Sequence, residues 1–147
     1  MFFKALSKAP DAISNTEDEQ EITAPSGQRI LVAEDQLEVL AVIVATLKNA
    51  GYIVTSATSG DQARDLFQAG ERVDLLLTDM VMPGQLQGPT LSQSLRKQDP
   101  KLRVVFMSGY ASESTVHGDG LRAEDIRMMK PVVRADLLRA IRTSLDS

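Results

Sequence analysis

The sequence predicts an α/β fold, a doubly wound five-stranded parallel sheet with strand order 2-1-3-4-5. Three observations predict it. Five short apolar runs alternate with stretches of helical periodicity. Glycine or proline closes most of the helical stretches. Four of the five runs finish on polar or charged residues: Glu34 and Asp35, Asp79, Ser108, and Lys130. Alternation of this kind builds right-handed βαβ units, and their sheet is covered by helices on both faces.

The elements follow in order. Arg29 to Glu34, "RILVAE", has the length of a buried strand. Leu37, Leu40, Ile43, Val44 and Leu47 then recur at helical spacing, and Gly51 stops the helix. "YIVTSA" is the second strand. Ser59 caps the next helix, with Gln62 three residues on as a capping box. Its inner face is Ala63, Leu66 and Phe67, and Gly70 ends it. "VDLLLTD" is the third strand, and Pro83-Gly84 turns the chain away from Asp79. A helix starting near Pro89 carries Leu91 and Leu95 and stops at Pro100. "LRVVFMS" is the fourth strand and "IRMM" the fifth, with Met128 and Met129 read as buried. The last helix runs from Val133 to Leu145, with Leu137, Leu138 and Ile141 inward. Residues 111–125 are polar and contain Gly118 and Gly120, so a short, weak helix and the greatest mobility of the domain are expected there.

Residues 1–28 differ from the rest. They hold two lysines against five acids and lack a sustained period, so they read as a flexible lead or linker to a domain at 29–147. The 147 residues suit one core, and the absence of cysteine excludes disulfides and thiolate chemistry. A net charge of -4 gives no reason to expect nucleic-acid binding. No apolar run approaches the roughly 20 residues of a membrane span, and the start lacks a signal peptide's apolar stretch. Cytoplasmic residence is the expectation.

In a sheet of this order the ligand site lies at the carboxyl ends of the strands, where the order reverses. Glu34, Asp35, Asp79, Ser108 and Lys130 all reach that rim. Three adjacent carboxylates repel one another by several kcal/mol at an effective dielectric of ~20. A hard cation relieves this, and with oxygen ligands only, Mg²⁺ fits best. Mg²⁺ commonly shares its shell with phosphate oxygens, which points to phosphoryl chemistry. Asp79 is then a nucleophile toward phosphorus, Lys130 a point charge for a phosphoryl oxygen, and Ser108 a hydroxyl donor.

The motifs "ILVAED", "LLLTDMVMPG", "VVFMSGYA" and "MMKP", in this order, resemble the receiver domain of two-component response regulators. The resemblance covers residues 29–147 and is strongest with receivers associated with hybrid histidine kinases. It implies the flavodoxin-like (βα)5 fold. It implies that Asp79 accepts phosphate from a histidine kinase or a histidine phosphotransfer protein. It also implies that Asp35, Asp79 and the backbone carbonyl of Val81 ligate Mg²⁺, with Glu34 acting through water. Ser108 would move toward the phosphoryl group and Lys130 would pair with it.

One position departs from the family. Arg127 stands three residues before Lys130, where an aromatic is usual, and Tyr110 is the nearest aromatic to Ser108. Arg127 would instead exchange between solvent and a carboxylate such as Glu124 or Asp125. His117, alone in a polar loop, reads as a surface residue, and Asp74 as structural. Arg122, Arg127, Arg134, Arg139 and Arg142 read as a solvated basic face. Only Leu145, Asp146 and Ser147 follow the last helix core, so output by protein contact through the 111–145 face is expected, either alone or as part of a larger kinase. Two other functions compete. An Mg²⁺-dependent aspartyl phosphatase wants a second aspartate two residues after the nucleophile, where Val81 stands. An unphosphorylated receiver-like adaptor has no need of the intact acids and lysine.

Overall fold

A computed structural model describes residues 27–82, 86–109, 122 and 125–146. The elements are β1 (Arg29–Ala33), α1 (Leu37–Asn49), β2 (Ile53–Ala57), α2 (Gly60–Gln68), β3 (Leu75–Asp79), α3 (Gly88–Gln98), β4 (Arg103–Ser108), β5 (Ile126–Met129) and α4 (Arg134–Asp146). The strands form one parallel sheet in the predicted order β2-β1-β3-β4-β5. Several expectations fall outside the described residues: the lead up to residue 26, the Pro83-Gly84 turn, most of the 111–125 segment with His117, and the roles of Tyr110 and Glu124.

The sheet separates two cores because successive strand residues face opposite sides. Ile30, Val32, Leu75, Leu77, Val105 and Met107 pack with α1 and α4, which contribute Leu40, Ile43, Leu47, Leu137, Leu138 and Ile141. Leu31, Ala33, Leu76, Val104 and Phe106 pack on the other side with Ala63, Leu91 and Leu95 of α2 and α3. Burying one such aliphatic side chain contributes about 1.5–3 kcal/mol, so these layers set the position of every strand end.

Helix termini follow the predicted chemistry with one shift. Gly51 and Gly70, past the ends of α1 and α2, have φ of 101° and 106°, where a Cβ is disfavoured. Ser59 Oγ accepts from Gln62 N at 3.1 Å. The reciprocal bond goes one residue further back, from Thr58 N to Gln62 Oε1 at 2.7 Å. Two apolar assignments differ from the reading. Leu37 is 67% exposed on the outer side of the first turn of α1, and Met129 is 50% exposed on the edge strand β5. An apolar letter in the pattern does not say whether an edge is covered.

Two polar ties fasten the end of the sheet remote from the strand tips. Arg96 of α3 and Asp125, just before β5, form a bidentate pair at 3.0 and 2.5 Å. Both side chains are buried, 5% and 2% exposed, and Arg96 Nε also donates to Leu102 O at 3.2 Å. Asp125 further accepts from Arg122 N at 2.8 Å. Of the two carboxylates offered to Arg127, Asp125 is thus held by Arg96, while Glu124 lies outside the described residues. The second tie is Arg142 of α4, which donates to Tyr52 Oη at 3.2 Å and to Gln28 Oε1 at 3.3 Å. The arginines read as one basic face are thus engaged separately, with Arg122 on Pro100 O and Arg139 on Asp136. Asp74 is structural as expected and accepts from Arg29 N at 2.8 Å.

Candidate functional site

Register brings the acids together. Ala33 pairs with Thr78, so Glu34 and Asp79 follow side by side at the tips of β1 and β3. Asp79 pairs in turn with Met107, one residue before Ser108. Ser108 is buried and pairs with Met129, and its carbonyl accepts from Lys130 N at 2.8 Å. Oxygens of Glu34, Asp35 and Asp79 lie within 4.8 Å of one another. Glu34 and Asp79 are buried while Asp35 is exposed at the lip. An open cleft of about 750 Å³ adjoins them, lined among others by Asp35, Asp79, Val81 and Lys130.

Lys130 Nζ lies 2.8 Å from Asp79 Oδ1 and 2.9 Å from Glu34 Oε1. The link to Glu34 was not part of the sequence reading, which gave Lys130 to the phosphoryl group. Although these separations suit a hydrogen bond, Glu34 Oε1 and both Asp79 oxygens lack a partner in good directional geometry. The contacts of Lys130 are therefore charge–charge contacts. Glu34 Oε2 is satisfied by Gln36 N at 3.0 Å. The pocket thus holds three buried carboxylate oxygens with spare acceptor capacity and one ammonium for two acids. Such oxygens, all hard donors beside exposed Asp35, fit a hard divalent cation.

The charges settle accordingly. Burial pushes the Asp79 carboxyl up to about 8, with the adjacent Glu34 carboxylate acting in the same sense and Lys130 against it. Glu34 ends below its usual value: burial raises it, but Asp79, the Gln36 N–H and Lys130 together outweigh that. Lys130 is held above its usual value, because its two carboxylates outweigh desolvation. Of the two neighbouring acids, Asp79 is thus the one whose proton is held more tightly and Glu34 the one that ionises more readily.

The backbone around Asp79 is tightly held. Met80 N donates to Met107 O at 2.8 Å, and Gly88 N to Met80 O at 3.0 Å. Thr78 Oγ1 donates to Asp79 O at 3.1 Å. A Cβ on Gly88 would stand 2.1 Å from Asp79 O, so only glycine lets α3 begin here. Gln87 accepts from Met82 N and donates to Met82 O, both at 2.7 Å. The sequence reading missed Gln87 and Gly88. A glycine before Pro89, at a helix start behind the acid loop, was the available signal for Gly88. The Lys130–Pro131 peptide is cis.

Comparison with known proteins gives a consistent result. Residues 30–142 match the response regulator receiver domain family. The response regulator receiver protein CpdR of Brucella abortus (strain 2308) is 34% identical over 119 residues, 80% of this chain and 97% of CpdR. The sensor kinase CckA of the same organism is 30% identical over 144 residues. That alignment takes 97% of this chain but spans only 15% of the kinase. A response regulator receiver protein from Sinorhizobium medicae WSM419 superposes with a TM-score of 0.75 at 28% identity, covering 84% of this chain and 98% of that one.

Proposed function

The chain belongs to the response regulator receiver domain family, a phosphoacceptor signalling module and not a classical enzyme, and on that premise we propose that Asp79 takes a phosphoryl group from a phosphohistidine donor. The observation that carries the reading is a buried carboxylate with both oxygens short of partners, beside two acids and Lys130 at one strand rim.

An Asp79 oxygen attacks phosphorus in line, the P–N bond of the donor imidazole breaks, and an aspartyl phosphate forms. Only the ionised carboxylate of Asp79 is nucleophilic, and Lys130, 2.8 Å from Asp79 Oδ1, favours that form. Lys130 moves its charge to a phosphoryl oxygen, and the Ser108 hydroxyl donates to another. Asp35, Asp79 and the Val81 carbonyl would hold Mg²⁺, with Glu34 acting on it indirectly. When bound, the ion would supply charge neutralisation for the acids and for the phosphoryl oxygens.

Histidine kinases phosphorylate receiver domains; here the donor is read as such a kinase or a histidine phosphotransfer protein. Output passes to a protein through the 111–145 face. Residues 1–28 serve as a lead or linker to the domain at 29–147, and the coverage of CckA supports a place beside a kinase as readily as CpdR supports a separate regulator. Among the described residues no helix is long and apolar enough to cross a membrane.

The test is incubation with acetyl phosphate and Mg²⁺ followed by intact mass measurement. Wild type should gain one phosphoryl group and Asp79→Asn none. Equal labelling of the Asn variant would remove Asp79 as the acceptor.

A further inference from the structure

We infer that Gln87 is a positioning residue that aims the Val81 carbonyl into the acidic cleft, and so sets the affinity of the site for a divalent cation. This rests on the cation site of the proposed function and adds a residue to it.

The argument starts from one peptide plane. A trans peptide sets its C=O and N–H in opposite directions. The plane between Val81 and Met82 carries the Val81 carbonyl and the Met82 N–H. That N–H points at Gln87 Oε1, 2.7 Å away. The Val81 carbonyl therefore points away from the Gln87 side chain. Val81 lines the cleft with Asp35, Asp79 and Lys130.

The same amide group grips the next peptide. Gln87 Nε2 donates to Met82 O at 2.7 Å, so a single planar side chain holds both sides of Met82. Two bonds from one amide leave the local backbone no free rotation about its own axis. Gly88 N closes the loop on Met80 O at 3.0 Å, immediately before the plane in question. Met80 and Met82 are thus both tied, with Met82 buried, and Val81 lies between them. Donation from its N–H also polarises a peptide, which strengthens the carbonyl as a ligand.

A residue that only capped α3 would act on stability alone. Aiming a carbonyl predicts a different pattern: weaker cation binding, with chemistry intact once the cation saturates. Gln87→Met keeps the side-chain length and removes both bonds. Loss of one such bond corresponds to roughly a tenfold change in affinity.

The experiment titrates full-length wild type, Gln87→Met and Gln87→Ala with Mg²⁺ by calorimetry, and follows Met82 amide exchange without metal. The expected results are about tenfold weaker Mg²⁺ binding in both variants and about tenfold faster Met82 exchange. Phosphorylation by acetyl phosphate at saturating Mg²⁺ should stay within about twofold of wild type. Wild-type Mg²⁺ affinity in both variants overturns the inference alone. Failure of the wild type to bind Mg²⁺ overturns it together with the cation site.

Discussion

Mg²⁺ binding should expel a proton, and the amount should depend on pH in a defined way. With Asp79 pushed up to about 8 in the metal-free protein, about 0.9 of the molecules carry that proton at pH 7 and about 0.1 at pH 9. A cation that needs the carboxylate must displace it. Binding at pH 7 is therefore expected to release about 0.9 proton, and binding at pH 9 about 0.1. Competition also makes the affinity at pH 7 about tenfold weaker than at pH 9, with the change concentrated below pH 8. Lys130 stays charged across this window, since its own shift is upward, so it adds nothing to the count. Calorimetric titration in two buffers of different ionisation enthalpy reads the proton number directly. Binding at pH 7 with no proton release would refute the reasoning, because it would mean that Asp79 is already ionised beside Glu34.

Three further outcomes are expected. In the metal-free protein the raised Asp79 holds a proton that the unfolded chain has lost, so stability falls as pH rises from about 4 to about 8. Asp79→Asn should remove that slope and stabilise the metal-free fold by about 1–4 kcal/mol at pH 9, measured by urea unfolding without metal. Arg96→Met leaves buried Asp125 without its counter-charge and should cost about 3–5 kcal/mol, most of it regained in the Arg96→Met/Asp125→Leu double variant, both read by thermal unfolding. Gly88→Ala drives a methyl into the Asp79 carbonyl, so a loss of about 1–3 kcal/mol and slower phosphorylation are expected in stability and acetyl phosphate assays.

The rim of the site was legible because a parallel sheet exposes its chemistry at strand ends. Glu34, Asp79, Ser108 and Lys130 each close an apolar run, and the register of β1, β3, β4 and β5 brings them to one rim. The glycine stops of α1 and α2 were legible for a local reason, since a left-handed turn needs no distant partner. What stayed hidden was contact across sequence distance. Arg96 and Asp125 stand 29 residues apart, and neither has a pattern that announces the other. Gln87 reaches back five residues to Met82, a span that fits no helical or strand period. The pairing of Lys130 with Glu34 joins the last strand to the first across the rim, and residue type alone could assign the lysine only to the phosphoryl group.

The tie from Arg142 to Tyr52 and Gln28 has a consequence for connectivity. Strands start at the edge of the sheet opposite the carboxylates, and the antiparallel helix α4 finishes there too. The first described residues and the end of α4 are therefore neighbours, latched by one guanidinium. The described chain thus enters β1 and leaves α4 on the side facing away from Asp79. Among the described residues, the guanidinium latch and the acidic rim therefore occupy opposite ends of the sheet, much as a plug carries its grip at the back and its pins at the front.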